Sequence, residues 1–400
     1  MQNIATGRIF EDTGWLLFDP EYEEPSLIRA VYQNKQPDFS NSKKGLYRFA
    51  DWLPINRALE GSSAPVTYKS KKLAAHLGLE NLYITFSGYW PEKGAFMKTC
   101  SFKETEAFSV CARIPDGEKR TLVLASAGNT ARAFAMVCSE NKIPLLLFVP
   151  HDNLDALWFD KELDPCVRLI CSPPGTDYFD AIEMSNRCCE DTTQYFAEGG
   201  AKNVARRDGM GTTVLSAATF IGRIPDVYFQ AIGSGTGAIA AWEANLRLKA
   251  DGRFGNNKMR LIPSQNAPFL PIVKAWEARS RYVDVMGEEE ARAKSAAVKA
   301  KVLANRKPPY GIAGGLYDAL IDSDGFMDFA TNRELEQAGA LFERLEGIDI
   351  HHAAAVATHT LIKNVRQGNV DPKAIIMLNI TGGGEARFKK ENQLYYLKPS

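Results

Sequence analysis

The chain has 400 residues, 45% hydrophobic and 24% charged, with 48 Lys+Arg against 48 Asp+Glu. That composition is ordinary for a soluble globular enzyme of about two domains, and the lack of a basic excess argues against nucleic acid or an anionic membrane surface as partner. The longest apolar runs, such as Pro144–Val149, are strand-sized, so no membrane span is expected.

The opening stretch Met1–Arg8 has no apolar signal region, which predicts a cytoplasmic location. The cysteines (Cys100, Cys111, Cys138, Cys166, Cys171, Cys188 and Cys189) are odd in number, and no pair has the two-residue gap of a metal or redox site. Reduced thiols are expected. His351, His352 and His359 have no acid or cysteine at ligand spacing, so no metal is expected.

Residues 1 to about 45 are polar, turn-rich and aromatic, and are expected to form an extension packed on the main body. A short strand follows at Val66–Tyr68, then a helix over Ser70–Leu79 and a strand at Leu82–Phe86. A loop bearing Gly88, Pro91 and Gly94 leads to Lys103, which opens a helix. Strands Thr121–Ala125, Pro144–Val149, Val167–Ile170 and Gln194–Ala197 then alternate with helices from Gly128 to Val137, near Asp155–Leu163 and over Tyr178–Cys189. The rhythm returns with helix Thr212–Ile221, strand Asp226–Ile232, helix Ala238–Lys249, strand Met259–Pro263 and helix Ala267–Ala278. A polar helix over Gly287–Leu303, helices Asn332–Leu345 and His352–Gln367, and strand Ala374–Ile380 complete the chain. Strands alternating with helices at this spacing predict parallel α/β layers.

Four segments carry chemistry. Lys103 sits at a helix start, where partial burial and the positive end of the helix dipole favour the neutral amine that attacks a carbonyl; its bland reading is a solvated lysine. Lys98 is the rival, in the looser loop. Ser126-Ala127-Gly128-Asn129-Thr130 lies where a strand turns into a helix, so its amides and hydroxyls suit a carboxylate, while Asn129 also reads as a turn or cap residue. Gly233-Ser234-Gly235-Thr236-Gly237 follows a strand and opens a helix, which suits a phosphate. A dinucleotide fingerprint is the competing reading of this loop, with Ala238 at its sixth position. Thr381, before Gly382-Gly383-Gly384, sits beyond a strand's carboxyl end, where α/β sheets bind ligands; a plain turn is the alternative. His351-His352 opens a helix and could face an anion.

In this order, the segments resemble the fold-type II pyridoxal-phosphate enzymes. The match is closest to the threonine synthases through Gly45–Phe49, Ser101-Phe102-Lys103, Ala125–Thr130 and Asp226-Val227 before the glycine loop. Gly88–Ala95 and Thr99–Glu104 resemble the cysteate synthase branch of that family. The resemblance spans about residues 45–390. It implies a tryptophan synthase β-like, two-domain α/β architecture with parallel sheets flanked by helices. An N-terminal extension would cover 1–45, a large cofactor-binding domain 46–104 and 201–400, and a small substrate-side domain 105–200.

The resemblance also implies pyridoxal 5'-phosphate as cofactor. Lys103 would carry it covalently, Asn129 would meet its 3-hydroxyl, Gly233, Ser234, Gly235, Thr236 and Gly237 its phosphate, and Thr381 its pyridine nitrogen. Ser126, Ala127, Gly128, Asn129 and Thr130 would bind the substrate α-carboxylate. The implied reaction is a β-replacement turning O-phospho-L-serine and sulfite into L-cysteate and phosphate, with Lys103 as general base, in a homo-oligomer. Three features depart from typical relatives: Glu104-Thr105 after the lysine in place of Asp-Arg, Ala127 in place of a hydroxyl, and His351-His352 in place of an acid. All three are expected on the substrate side. Lys98, Arg206, Arg207 and Arg387, with His351 or His352, are candidates to hold the anions, and the sequence does not choose among them. Threonine synthase acting on O-phosphohomoserine is the main alternative. An NAD-dependent oxidoreductase fits less well, because strand Met259–Pro263 has no terminal acid and Lys103 and Asn129 would go unexplained.

Overall fold

The strand–helix alternation resolves in the computed structural model, which describes every residue except Ala127, Lys307 and Ser400. Among the described residues, one sheet has six strands, in the order Asp328–Ala330, Arg260–Asn266, Val227–Ala231, Ile375–Ile380, Asn81–Phe86 and Val66–Lys69. Its neighbours run parallel except the edge strand Val66–Lys69, which is antiparallel to Asn81–Phe86. The expected parallel sheet is mixed at that edge, where the chain returns through the short helix Lys72–Leu77 to run antiparallel. A second sheet of four strands, Val167–Ser172, Leu145–Pro150, Thr121–Ala125 and Tyr195–Ala197, is parallel throughout.

The central strands of the large sheet are apolar on both faces because both are covered. Val227, Phe229 and Ala231 point into one core with Leu335, Phe342 and the Ala353–Ala357 run, from helices Asn332–Glu346 and His352–Arg366. Tyr228 and Ile232 point the other way, into a core with helices Val204–Ile221 and Thr236–Asp251. The small sheet packs Leu122, Leu124, Leu145 and Leu147 against Ala107, Phe108 and Val110 of helix Lys103–Arg113 and Phe134 and Val137 of helix Asn129–Glu140. Leu27 and Phe39 of the N-terminal segment are buried in the second core of the large sheet.

The helix expected from Thr212 begins earlier, at Val204, with Asn203 accepting the amide of Ala205 at 3.0 Å as its cap. Arg206-Arg207-Asp208-Gly209 precedes the expected start, yet lies in that helix because its charges are paired in the interior. Gly209 lets this helix cross the Lys103 helix closely: a Cβ there would stand 2.3 Å from the Thr105 carbonyl oxygen. The polar helix stops at Ala297 rather than Leu303. Val298 and Ala300 are drawn into the core, and the side chains of Asn332 and Asn266 accept the amides of Lys299 and Ala300. The helix expected near Asp155–Leu163 is instead a 3-10 turn, His151–Ala156, and a short strand, Trp158–Phe159, paired with Tyr395–Tyr396. Trp158 is buried against Phe388, and that packing overrides the local helical pattern.

Candidate active site

Three adjacent parallel strands, ending at Phe86, Ile380 and Ala231, carry the loops that converge on Lys103. The loop before the lysine is stitched to the segment after Ile380: the amide of Phe102 donates to Thr381 O at 2.9 Å and that of Gly383 to Cys100 O at 3.1 Å. Bare backbone is needed for this approach, since a Cβ on Gly384 would lie 1.9 Å from Tyr89 O and one on Gly382 2.9 Å from Cys100 O. The Gly382-Gly383-Gly384 run therefore serves loop packing, and it is this packing that brings Thr381 to the cavity holding Lys103.

Lys103 is the first residue of helix Lys103–Arg113, and its side chain keeps 21% of its surface. Its Nζ lies 3.0 Å from Glu106 Oε2 and 4.9 Å from the centre of the Phe102 ring. Burial lowers the Lys103 pKa, Glu106 opposes that shift, and Arg206 adds to it. The balance moves the amine toward the neutral form that attacks a carbonyl.

A cavity of about 80 Å³ is lined by Lys103, Asn129, Gly233–Gly237, His351 and Thr381. At one end, Ser234 Oγ and Thr236 Oγ1 lie 2.8 Å apart at the start of a 16-residue helix, Thr236–Asp251. Gly235 turns the loop at φ +84°, where a Cβ would also meet Leu316 at 2.9 Å. Two hydroxyls and the first amides of a helix with no intrahelical acceptor make a donor set for a phosphate.

A second cavity, about 170 Å³, shares Lys103, Asn129, Ser234 and Thr236 and adds Ser126, Gly128 and Thr130. Ser126 Oγ accepts the amides of Gly128 and Ala131 at 3.2 and 3.0 Å, so it holds the turn as well as facing the cavity. The amides of Asn129 and Thr130 begin the helix and have no carbonyl one turn back. Ala127 lies outside the described residues.

Arg132, which the sequence reading passed over, organises this corner. Its guanidinium is 2% exposed, stacks 4.0 Å from the Trp158 ring and donates to Thr99 O, Ala156 O and, at 3.1 Å, to Asn129 Oδ1. With the oxygen of Asn129 taken, its NH2 is the end left to meet an acceptor such as a phenolic oxygen.

The remaining wall was not legible as a motif. Arg206 gives its Nε and Nη2 to Glu198 at 2.7 and 2.6 Å, and its Nη1 lies 3.5 Å from Glu106 Oε1. Glu106 is fully buried and Glu198 3% exposed. Burial favours the neutral acid of Glu198 and would weaken Arg206, but Glu106 and Glu198 together hold the guanidinium firmly charged. Tyr178, Lys301 and Asn305 complete this wall. The last two arrive because the polar helix ends early, and the composition of that segment gave no hint of it.

Of the lysines and arginines named from the sequence as anion-holding candidates, Arg206 alone lines a cavity of Lys103. Lys98 pairs with Glu140 at 2.9 Å, Arg207 with Glu243 at 2.9 Å in the interior, and Arg387 with Glu92 and Glu391 at the surface. His351 lines the inner cavity with Nε2 2.9 Å from Glu385, while His352 is exposed. Glu104 and Thr105 do not touch the substrate side as expected. Glu104 turns to the amide of Thr99, and Thr105 Oγ1 donates to Phe102 O at 2.8 Å.

The family profile described as pyridoxal-phosphate dependent enzyme matches residues 68–382. A cysteate synthase of Methanosarcina barkeri is 48% identical over 375 residues, which are 94% of this chain and 90% of that protein. The cysteate synthase of Methanocella paludicola is 48% identical over 377 residues, 93% of this chain and 87% of that one. Among solved structures, maize serine racemase superposes with a TM-score of 0.61 at 14% identity, covering 80% of this chain and 89% of its own. A hydrogen sulfide-producing enzyme of Fusobacterium nucleatum gives 0.57 at 15% identity, covering 82% and 97%; at such identities the likeness concerns the fold. The chain belongs to the pyridoxal-phosphate dependent enzyme family, as a fold-type II member closely related to cysteate synthases. Its cofactor is pyridoxal 5'-phosphate, and the donor set at Ser234–Gly237, the lysine and the free end of Asn129 fit that molecule. No helix among the described residues is long and apolar enough to cross a membrane.

Proposed function

We propose that the chain catalyses a β-replacement that converts O-phospho-L-serine and sulfite into L-cysteate and phosphate, as a cytoplasmic homo-oligomer. The observation that carries this reading is one cavity in which Lys103 meets a guanidinium, Arg206, locked by Glu198. Both the leaving group and the incoming nucleophile are anions, and Arg206 Nη1 is the donor available to each in turn. The names of the relatives point to the same product.

The roles assigned to the residues follow from their positions. Ser234, Thr236 and the amides of Gly235–Gly237 would hold the cofactor's phosphate, Asn129 its 3-hydroxyl and Thr381 its ring nitrogen. The bound cofactor supplies an electron sink for the pair left at the substrate's Cα. A neutral hydroxyl at Thr381 supports that sink less than a carboxylate would, which favours prompt loss of the β-substituent. The amides of Asn129 and Thr130, with Ser126, would receive the α-carboxylate. Lys103 Nζ takes the proton from Cα and later returns it, its basicity tempered by burial. Residues 46–104 and 201–400 would make up the cofactor-binding domain and 105–200 the substrate-side domain, with 1–45 as an extension.

The deciding experiment supplies purified protein and pyridoxal phosphate with O-phospho-L-serine and sulfite, and measures cysteate and phosphate together. Equal formation of the two is expected. Phosphate release from O-phosphohomoserine with threonine as product, and no cysteate, would replace this reading with threonine synthase.

A further inference from the structure

Glu106 has no part in the roles above, yet it touches both Lys103 and Arg206. It lies one turn after Lys103 on the same helix, is fully buried, and places Oε2 3.0 Å from Lys103 Nζ. Its other oxygen, Oε1, has no hydrogen-bond partner and lies 3.5 Å from Arg206 Nη1. Arg206 has a second carboxylate besides it, because Glu198 takes Nε and Nη2.

We propose that Glu106 is a positioning residue shared by Lys103 and Arg206, so that an anion arriving at Arg206 commits Glu106 to Lys103 and makes that lysine a stronger base. This rests on the reading of Lys103 as the lysine that carries the cofactor.

The physical argument begins with the helix. A lysine at the first position of a helix is disfavoured as a cation by the dipole, whereas a glutamate in the first turn is favoured. Burial disfavours the ammonium further, so the protonated lysine formed when Lys103 takes a proton needs a counter-charge within reach. Glu106 is the carboxylate at that distance. An anion on Arg206 Nη1 removes the competing pull on Oε1, and the whole carboxylate charge then serves Lys103. The other groups facing the cluster do not substitute for it. Tyr178, from helix Tyr178–Cys188, is kept a neutral phenol by burial. Lys301 Nζ is drawn away to the carbonyl of Ala296. His351 is turned to Glu385. Glu198 is occupied by Arg206 and the Gly200 amide.

The test follows covalent capture of pyridoxal phosphate by the full chain, stripped of cofactor and resupplied, from pH 5 to 10, by visible absorbance and by borohydride trapping at Lys103. Capture needs the neutral amine, and the cofactor's own titrations are common to all variants, so differences in midpoint belong to the protein. Glu106→Gln should move the midpoint to lower pH by about 1–3 units. Arg206→Gln should move it to higher pH, and Arg206→Lys should leave it in place. A Glu106→Gln midpoint equal to wild type, or an Arg206→Gln shift in the same direction as that of Glu106→Gln, overturns the proposal. If neither amide variant folds, the wild-type midpoint with and without methylphosphonate decides; an upward shift supports the proposal and an unmoved midpoint overturns it. Failure of the underlying reading looks different: wild type would then capture no cofactor at Lys103, or Lys103→Ala would capture as well as wild type.

Discussion

One wall of the cavity, Gly233–Gly237 with Thr381, is backbone and short hydroxyls at the ends of neighbouring strands. Another wall is Arg206, Tyr178 and Asn305, with Glu106 and Glu198 buried behind Arg206, side chains from several separate segments that meet only in three dimensions. The first wall is held by the sheet register and by close loop packing. The second is held by ion pairs in the interior, which are expensive to break because each partner is left charged and buried. A backbone cradle keeps its ligand whatever the neighbouring side chains are, whereas the anion-facing wall changes character with one substitution. On the proposed function, the class of cofactor is thus written into the first wall and the choice of substrate into the second.

Lys103 joins the two walls, and its loss should have the largest effect. Lys103→Ala removes both the proposed attachment point and the proposed base, so covalent cofactor capture should disappear and turnover should fall by roughly 10⁴-fold or more, at or beyond the upper end of what a single acid–base group contributes. Cofactor without covalent attachment can still settle in the glycine cradle, detectable by fluorescence. A variant that still yields a borohydride-stable adduct at another lysine, such as Lys98, would break the assignment.

Arg206→Gln attacks the second wall alone. Losing one partner of a buried charge pair typically costs about 2–5 kcal/mol, so kcat/KM for the phosphorylated substrate should drop by roughly 30- to 4,000-fold. Cofactor affinity should stay within about threefold, under 1 kcal/mol. Glu198 is left without its partner, so stability falls as well, and Arg206→Lys should recover part of both. An equal loss of cofactor affinity and kcat/KM would mean the two walls are not separable.

Gly235→Ala attacks the first wall alone. The residue sits at φ +84°, where a side chain costs about 1–2 kcal/mol, and the new Cβ would press on Leu316. About tenfold weaker cofactor binding, equivalent to about 1.4 kcal/mol, is expected, with little change in substrate KM once cofactor is saturating. Equilibrium dialysis and saturation kinetics read the two effects separately.

The same contrast explains what the sequence disclosed. Lys103, Asn129, Ser234–Gly237 and Thr381 each lie in a short contiguous signal tied to a strand end or helix start, and the structure gathers them around one cavity. Most strands of both sheets also fall within a residue or two of where apolar periodicity places them. Glu106, Glu198 and Arg132 have no such signal, because a charge destined for the interior looks the same in one dimension as a charge destined for water. Arg206 was named, but only among several candidates. The Arg206–Gly209 stretch lies ahead of the helix expected from Thr212 for the same reason, and the polar helix is expected to run on to Leu303, since Val298 and Ala300 give too little apolar pattern to betray their burial. Trp158–Phe159 was missed because its partner strand lies at the far end of the chain.

Glu104 supplies the smallest expected effect on the reaction and the sharpest control on that reasoning, because it adjoins Lys103 in sequence and yet belongs to neither wall. Its carboxyl is 1% exposed, accepts the Thr99 amide and leaves Oε2 without a partner. Burial pushes its pKa up to about 8, against the lowering influence of that amide. The folded chain therefore keeps a proton that the unfolded chain releases near pH 4.5, the ordinary glutamate value. Stability from this group is fully present below that pH and is lost progressively as pH rises to about 8, where the folded carboxyl also ionises. Glu104→Gln keeps the acceptor for Thr99 and has no titrating proton, so its stability should match wild type at pH 5 and exceed it by about 1–3 kcal/mol at pH 9. Denaturant unfolding at the two pH values measures this difference. Turnover should be unchanged, since the side chain does not line the cavity. A large loss of kcat in Glu104→Gln would move Glu104 into the substrate wall, and neighbours of Lys103 in sequence would then have to be counted as neighbours in function.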